Sequence, residues 1–342
     1  MKKLLSTNFY NIKVENGIKY IDIRSFPTLY KYQPVSEYSL HNFEADEIWG
    51  TVPTAFNDPY DCAVCFTISK LNKEIMSSLT GQRLQNYIKL FNNSSKKEIT
   101  KQIVHDIIEN SELRKQYCVA CFSIYNDSEI MWGHYADSAK GFCIAYDGKE
   151  LKDAASSTSE EIFDTLKKFS WFNIDFSDMT YDDLSSIMPV IYQNGKINIT
   201  NRLINAIQYI LKAYDNICNG MSIVEANKSL LLDIKQNYYS DLNHNDSLFY
   251  SLMCSKGRDW KYEQEWRIWT YNANIISGNL DNPYMKIGDV KAKAVYLGER
   301  MPEYTRRIIL EIARLKNIPV YQMKSVMHEH TYKLKPILIS NT

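Results

Sequence analysis

Residues 117–125 read YCVACFSIY, an apolar and β-prone run that predicts a buried strand. Residues 126–128 (NDS) are helix-capping types, and they predict a helix over residues 129–136. Residues 141–146 (GFCIAY) then predict a second buried strand. A buried strand, a short capped helix and another buried strand in direct succession favour a sheet with helices packed against it.

Strand and helix patterns alternate over the rest of the chain. Strands are predicted at residues 18–23, 29–32, 47–52, 265–270, 292–297, 320–324 and 332–338, and helices at 39–47, 70–115 and 304–316. Because the strands are scattered from one end of the chain to the other, the sequence predicts an α+β fold. Its core is expected to be a mixed or antiparallel sheet.

The pattern changes between residues 151 and 250. Polar runs and long stretches of helical periodicity, at residues 201–216 and 222–239, predict a largely helical insertion there. The remaining chain then divides into an N-terminal lead-in and one discontinuous core. The predicted domains are the lead-in at 1–27, the α+β core at 28–150 and 251–342, and the insertion at 151–250.

Composition and charge exclude several classes of protein. The 342 residues include 40 Lys and Arg and 40 Asp and Glu, so the formal net charge is zero. Proteins that coat nucleic acids carry a strong basic excess, and charge balance disfavours that class. No apolar stretch approaches the ~18 residues of a membrane span or forms the apolar core of a secretory signal. Seven cysteines, an odd number, fit reduced thiols. We therefore expect a cytoplasmic protein with no membrane partner.

Two C-x-x-C pairs, Cys62 with Cys65 and Cys118 with Cys121, have the spacing of zinc-ribbon ligands. Both pairs lie in or beside apolar, β-prone runs, where residues three apart point to opposite faces of a sheet. Neither pair has the glycine or polar turn that a zinc knuckle requires. We favour small core residues over a zinc site, and we predict no metal.

Residues 56–61 (FNDPYD) form a predicted tight turn after a strand. Asn57 and Asp58 are candidate substrate-binding residues, because loops carry function more often than cores do. An ordinary turn is the alternative. Asp58 and Asp61 with a third carboxylate would also suit a divalent metal in a nuclease.

The densest chemical signal lies at residues 257–269 (GRDWKYEQEWRIW). If a strand begins at Tyr262, then Glu263, Glu265 and Arg267 lie on one face of it. Such charged groups are costly to bury unless they are paired or face a cleft. The surrounding Trp and Tyr side chains would suit a site that stacks a flat ring. A solvated edge with an internal ion pair is the alternative.

Residues 131–136 (MWGHYA) contain a second candidate group, on the predicted short helix. Trp132 and Tyr135 share a helix face, and His134 points away from it. His134 is either a packed, hydrogen-bonded side chain or a catalytic group.

Five segments in order resemble the bacterial and phage family known as domain of unknown function 2971. The resemblance runs from about residue 28 to residue 298 and leaves the N-terminal lead-in and the 150–250 insertion uncovered. Its segments are LYKYQP, FNDPYDC, VACFS, MWGHYADSAKGFCIAYD and DWKYEQEWRI. The family name implies no activity.

The LYKY strand, the helix after it, the EIWG strand and the late Glu-x-Glu strand also resemble ADP-ribosyltransferase-like folds. That resemblance implies an NAD-consuming enzyme of a bacterial defence or toxin type, either an ADP-ribosyltransferase or an NAD glycohydrolase. NAD would be a substrate, with no separate cofactor, and the acceptor would be a protein or nucleic acid. The resemblance implies that Lys31 or Tyr32 takes the first-strand position and Glu265 the last, with Glu263 as its partner.

The candidate residues follow from these motifs. Predicted catalytic residues are Tyr32, His134, Glu263 and Glu265, and predicted substrate-binding residues are Lys31, Asn57, Asp58, Trp132, Tyr135 and Arg267. The enzyme hypothesis requires them to converge on one cleft, and it loses its basis if Glu265 is locked in a closed ion pair. A non-enzymatic nucleotide- or partner-binding module in phage defence and a metal-dependent nuclease are the alternatives.

Overall fold

The computed structural model describes most of the chain. The described residues are 9–15, 18–92, 95–110, 113–168, 185–223, 225–226, 229, 253–275, 277–279, 281–327, 330 and 332–340. The predicted helix at residues 222–239 lies largely outside them.

Strands and helices follow one another along the whole described chain. In order they are β1 (Tyr10–Glu15), β2 (Ile18–Ile23), β3 (Thr28–Gln33), α1 (Glu37–Ala45), β4 (Glu47–Thr51), β5 (Val64–Cys65), α2 (Ile68–Ser78), α3 (Gly81–Leu90), α4 (Lys96–Asn110), β6 (Tyr117–Ser123), α5 (Glu129–Tyr135), β7 (Phe142–Asp147), α6 (Gly148–Lys168), β8 (Ser185–Pro189), β9 (Ile191–Gln193), β10 (Ile197–Asn198), α7 (Thr200–Cys218), β11 (Ser255–Gly257), a 3₁₀ helix (Arg258–Glu263), β12 (Glu265–Tyr271), β13 (Tyr284–Asp289), β14 (Ala294–Leu297), α8 (Glu303–Lys316), β15 (Val320–Lys324) and β16 (Lys335–Ser340).

The core is a sheet of ten strands among the described residues. Its order is β13-β4-β6-β3-β7-β14-β15-β16, and β12 and then β8 extend it from β6. Neighbouring strands are antiparallel except for β14 and β15, which are parallel. The predicted α+β class with a mixed, mainly antiparallel sheet is confirmed.

The sheet divides at β6. One edge of β6 pairs along its whole length with β12, from Glu265 opposite Ser123 to Tyr271 opposite Tyr117. Its other edge pairs with β4 only at Val119 and with β3 only at Ser123, where Tyr30 lies opposite. Tyr30 and Glu265 therefore flank Ser123 on either side, and their side chains share one face of the sheet.

Helices cover the two faces of the sheet unequally. On one face, α1, α6 and α8 bury the main hydrophobic core, which includes Phe122 and Trp266. On the other face, the short helix α5 packs its Trp132 against Tyr32 and Tyr296. Because Tyr30 and Tyr32 alternate with Lys31, the tyrosines lie on the α5 face and Lys31 on the opposite face.

The helices α2, α3, α4 and α7 form a separate hydrophobic cluster around Leu71, Tyr87, Ile103 and Leu211. The first three occupy the region where helices are predicted at residues 70–115, while α7 comes from the predicted insertion. One helical unit is thus assembled from two distant stretches of chain.

Two elements of the region predicted as an insertion pack on the core sheet. Helix α6 begins at Gly148, before the predicted boundary, and buries Leu151, Ala155 and Ile162. Strand β8 then adds to the core sheet beside β12. The Ser-, Thr- and Glu-rich outer face of α6 masks its apolar stripe in the sequence. The division of the chain into domains stays a prediction.

A close approach of the backbone at Gly141 joins α5, β3 and β7. A Cβ atom at this position would collide with the Gln33 carbonyl oxygen and would lie 3.0 Å from the Cα of Ala136. Glycine is therefore required for α5 to end against the sheet at this point.

We predict that Gly141→Ala lowers the free energy of unfolding by about 2–3 kcal/mol, because the backbone must shift to accept the methyl group. The matched control is Gly133→Ala in α5, where no described heavy atom lies within 4 Å of the added Cβ. That variant should gain up to about 1 kcal/mol from helix propensity. Urea unfolding monitored by circular dichroism measures both, and equal stability of the two variants would contradict the prediction.

Candidate functional site

The most concentrated group of buried charges lies where the 56–62 loop, β11, the 3₁₀ helix and β12 meet. We call it the ion cluster; its members are Asp61, Lys256, Glu263, Glu265 and Arg267, each at most 6% exposed. Buried charges require partners, and the cluster supplies them from segments far apart in the sequence.

Arg267 is the centre of the ion cluster. Its Nε and Nη2 donate to Oε1 and Oε2 of Glu265 at 2.8 and 3.2 Å, a side-on bidentate pair. Nη2 also donates to Oδ2 of Asp61 at 2.7 Å, and Nη1 donates to the Met253 carbonyl oxygen at 2.8 Å and to the Cys62 sulfur at 3.1 Å. This one guanidinium therefore joins β12 to the 56–62 loop and to the chain before β11.

Lys256 is the second cation of the cluster. Its Nζ lies 2.6 Å from Glu263 Oε2, 3.1 Å from Glu265 Oε2 and 3.4 Å from Asp61 Oδ2. The ammonium also lies 4.9 Å from the centre of the Trp260 ring. Burial opposes its charge, but Glu265 and Asp61 outweigh that effect and hold the pKa of Lys256 above its ordinary value.

The two glutamates of the Glu-x-Glu motif have different ionisation. Burial raises the pKa of both, but for Glu265 the adjacent Arg267 and Lys256 reverse the effect and hold the pKa far below its ordinary value. For Glu263, burial and the charge of Glu265 dominate and raise the pKa to about 7. The surroundings therefore favour the ionised form of Glu265 and the protonated form of Glu263.

The local backbone explains how the two carboxylates meet. The strand begins at Glu265, as predicted at 265–270, and the alternative start at Tyr262 is not observed: Glu263 ends the 3₁₀ helix, and β12 begins at Glu265. Gln264 between them is left-handed, with φ 45° and ψ 52°, and its side chain donates to the Lys261 carbonyl oxygen at 2.7 Å. This turn, rather than the period of a strand, brings both carboxylates to Lys256.

Helix α5 supplies the outer side of the site. The Tyr135 hydroxyl donates to Glu263 Oε1, and the Asn57 side-chain amide donates to the Tyr135 hydroxyl at 3.3 Å. His134 is exposed, and its Nδ1 lies 3.0 Å from the Tyr262 hydroxyl. Tyr135 is half-buried and Asn57 is exposed. The chain of contacts therefore runs from the surface to the ion cluster.

The turn after α5 holds this helix in place. Asp137, Ser138 and Ala139 have φ of 46°, 55° and 64°. The amides of residues 138–141 are bonded, with Ala139 N donating to Trp132 O at 2.9 Å and Gly141 N to Ala136 O at 2.8 Å. Three successive left-handed residues are costly for side chains with a Cβ. Such strain persists only where the surroundings impose it.

Four predicted site residues, Tyr32, Trp132, Lys31 and Asp58, lie apart from the ion cluster. Tyr32 is buried against Trp132, with ring centres 5.2 Å apart, and its hydroxyl donates to the Tyr125 carbonyl oxygen at 2.9 Å. Lys31 lies on the other sheet face, 5.1 Å from the Phe122 ring centre, where burial lowers its pKa. Asp58 is buried in the turn, and its Oδ1 accepts from the Tyr60 amide at 2.9 Å.

Several members of the site were not identified from the sequence. Nothing in the sequence marks Lys256 as a member of the site. It precedes the 3₁₀ helix that ends at Glu263, and no helix or strand period relates the two residues. The Tyr192 hydroxyl accepts from the Glu265 amide at 2.8 Å. Tyr192 comes from the predicted insertion, so only the three-dimensional structure relates it to the site. Asp61 was considered as a metal ligand rather than as the partner of Arg267.

The first cysteine of each C-x-x-C pair is buried, and the second is half-buried. Cys62 lies in the ion cluster beside Arg267, and burial raises the pKa of its thiol to about 12. Burial also raises the pKa of Cys118 to about 12. In the described part of the chain, no three or more His, Cys, Asp and Glu side chains are grouped so as to hold a metal ion.

Comparison with known proteins supports one of the two resemblances. Residues 131–268 match the model of the family described as "Protein of unknown function (DUF2971)". The matched span begins within α5 and ends within β12, so it includes both Tyr135 and the Glu263–Arg267 motif. No curated protein and no solved structure matches the chain, and the ADP-ribosyltransferase-like resemblance has no support among these comparisons. Among the described residues, no helix has the length and apolar character to cross a membrane.

We predict that Arg267→Met lowers the free energy of unfolding by about 3–5 kcal/mol, because it leaves Glu265 and Asp61 buried without their main partner. The control is Arg314→Met, which removes an exposed pair with Glu311 and should change stability little. Chemical denaturation of both variants at pH 7 tests this. Equal effects of the two substitutions would show that the ion cluster is not what stabilises this region.

We also predict a pH dependence that belongs to Glu263. Its pKa is about 7 in the folded protein against an ordinary value of 4.5, so the folded state keeps a proton that the unfolded chain has released. The stability from this group is fully present below about pH 4.5 and is lost as the pH rises through about 7. Between about pH 5 and pH 7, wild-type protein should lose up to ~1.4 kcal/mol per pH unit relative to Glu263→Gln.

Urea unfolding at several pH values measures that difference. Glu160→Gln, an exposed substitution on α6, should keep the wild-type slope. A wild-type protein and a Glu263→Gln variant with parallel pH profiles would contradict the assignment.

Proposed function

We propose that this protein is an enzyme that breaks the bond between nicotinamide and ribose in NAD, as an NAD glycohydrolase or an ADP-ribosyltransferase. The observation that carries the proposal is the contact between Glu263 and Tyr135. It joins a buried carboxylate with a pKa of about 7 to the hydroxyl of a half-buried tyrosine next to the surface. The bacterial defence or toxin setting, the cytoplasmic location and the protein or nucleic-acid acceptor stay predictions.

Glu263 has the properties of a general acid–base group. Proton transfer is most efficient when the pKa of the catalytic group lies close to the working pH, and a carboxyl reaches that range only when its environment raises its pKa. Glu263 also has one oxygen on Lys256 and the other on Tyr135, so a proton leaves or enters through the Tyr135 hydroxyl.

Glu265 is not the catalytic glutamate of this proposal. Both of its oxygens accept from Arg267, and one also accepts from Lys256, which is the closed ion pair that removes the basis for a catalytic Glu265. Its charge is already neutralised by these two cations. The acid–base role therefore passes to Glu263, and Glu265 has a positioning role within the ion cluster.

The strand arrangement also supports the NAD-cleaving proposal. Tyr30 on the first core strand and Glu265 on the late strand both lie opposite Ser123, with the single strand β6 between them. A first-strand aromatic residue and a late glutamate on one sheet face are what the ADP-ribosyltransferase-like resemblance implies. The resemblance implies Lys31 or Tyr32 at the first-strand position; we propose Tyr30 for that position instead, because it lies opposite Ser123.

The reaction balances with these residues. The ribose C1′–N bond breaks with its electron pair passing to the ring nitrogen, so nicotinamide leaves neutral and the ribose carries oxocarbenium charge. Water, or an acceptor nucleophile in the transfer reaction, attacks C1′. Its proton passes to the Tyr135 oxygen while Tyr135 gives its own proton to Glu263, which later releases it to solvent.

A binding module without turnover is the second candidate, and the closure of the ion cluster favours it. Asp61, Glu265 and Arg267 satisfy one another within hydrogen-bond distance, as in a structural core. The metal-dependent nuclease is disfavoured, because Asp61 already contacts two cationic side chains that would repel a divalent metal.

Incubation of the purified protein with NAD tests the proposal, with chromatographic detection of released nicotinamide. Glu263→Gln should lower the rate by at least about 100-fold, because it removes the proton acceptor but keeps the shape. Tyr135→Phe should lower it by about 10-fold or more while leaving the ring in place. Glu160→Gln should retain the wild-type rate.

Parallel reactions contain water alone, a protein mixture or single-stranded DNA as acceptor. No nicotinamide release by folded wild-type protein under any of these conditions would favour the binding module. A full rate for Glu263→Gln would exclude Glu263 as the acid–base group.

A further inference from the structure

The ion cluster is not electrically balanced. It contains the three carboxylates Asp61, Glu263 and Glu265 against the two cations Lys256 and Arg267. When all five groups are ionised, one negative charge remains in a region where no member is more than 6% exposed. A buried uncompensated charge is unfavourable, and it attracts a cation strongly because the surroundings are poorly polarisable.

The geometry locates the excess charge at Glu263. Asp61 and Glu265 each contact both cations, whereas Glu263 contacts Lys256 alone. Its remaining oxygen accepts from Tyr135, which is a neutral donor. The uncompensated side of the cluster is thus the side that faces Tyr135.

Aromatic side chains border that side of the cluster. His134 lies 6.3 Å from Tyr135 and 5.7 Å from Tyr262 between ring centres, and Tyr262 lies 6.1 Å from Trp260. His134 is exposed, and the three other rings are half-buried. The site already contains one cation over a ring, since Lys256 Nζ lies 4.9 Å from the Trp260 ring centre. Aromatic faces beside a negative charge bind organic cations.

We infer that the surface formed by Tyr135, His134 and Tyr262 selects a flat aromatic cation, which balances the charge of Glu263 through the Tyr135 side of the cluster. The ligand class is a quaternary pyridinium, and the oxidised nicotinamide ring belongs to it. The choice of pyridinium among organic cations rests on the proposed function, but charge selection rests only on the ion cluster and its aromatic border.

Two small molecules of similar shape test whether the surface recognises the charge of its ligand. N-methylnicotinamide carries a pyridinium charge and nicotinamide does not, and neither has a ribose bond to cleave. Titration of each into the full-length protein at pH 8, followed by NMR shifts of the Trp and Tyr side chains, gives their dissociation constants. We expect the cation to bind at least about tenfold more tightly, because Glu263 is ionised at that pH and lies one residue behind the surface.

Glu263→Gln should reduce the preference to less than about threefold by removing the charge with little change of shape, and Glu160→Gln should retain it. Equal wild-type affinity for the two probes overturns the inference, and so does failure of both probes to bind. Both of these outcomes are measured on the wild-type protein, so neither depends on whether a variant folds.

Nicotinamide release from NAD, measured on the same preparation, distinguishes this inference from the proposed function. Release without charge preference among the probes contradicts charge selection and leaves the enzyme proposal in place. Charge preference without release contradicts the enzyme proposal and leaves charge selection in place.

Discussion

The bidentate contact between Arg267 and Glu265 is the interaction on which the rest of the site depends. It lies fully inside the protein, and the same guanidinium also holds Asp61 and the carbonyl oxygen of Met253. Strand β12 supplies the pair, and β12 is bonded along its whole length to β6, the strand at which the sheet divides. Removal of Arg267 would leave the carboxylates of Asp61 and Glu265 buried without their main partner. The same guanidinium therefore holds the 56–62 loop in position, through Asp61, and keeps Glu265 ionised.

The same contact separates the roles of two glutamates that are only two residues apart. Because Arg267 reaches Glu265 and not Glu263, one carboxylate stays ionised and the other has a pKa of about 7. Lys256 touches both and therefore does not distinguish them. The division of roles follows from the left-handed turn at Gln264, which directs Glu263 toward Tyr135 instead of along the strand. Environment, rather than residue type, lowers the pKa of one carboxylate and raises that of the other.

The sequence was sufficient for the fold class and for part of the site. Alternating apolar runs predicted most strands of the core, and charge clustered among aromatics grouped Glu263, Glu265 and Arg267. Glu263, however, lies in the 3₁₀ helix and not on the strand that begins at Glu265. Tyr135 was found because a short capped helix limits which side chains share a face. Lys256 was missed, since a lysine before a 3₁₀ helix has no period that links it to a later carboxylate. The packing of α6 against the core sheet was also missed. Most of its residues are polar, and only a narrow stripe of buried apolar residues indicates that packing.

The proposed chemistry requires that Glu263 takes up and releases a proton near neutral pH while Glu265 stays ionised. The most direct test is a ¹³C NMR titration of the glutamate side-chain carboxyls, with Glu263→Gln to assign the signal. We predict one glutamate signal with a midpoint near pH 7 that disappears in the variant. A midpoint for Glu263 close to the ordinary 4.5, or a signal near 7 that survives its substitution, would contradict the claim.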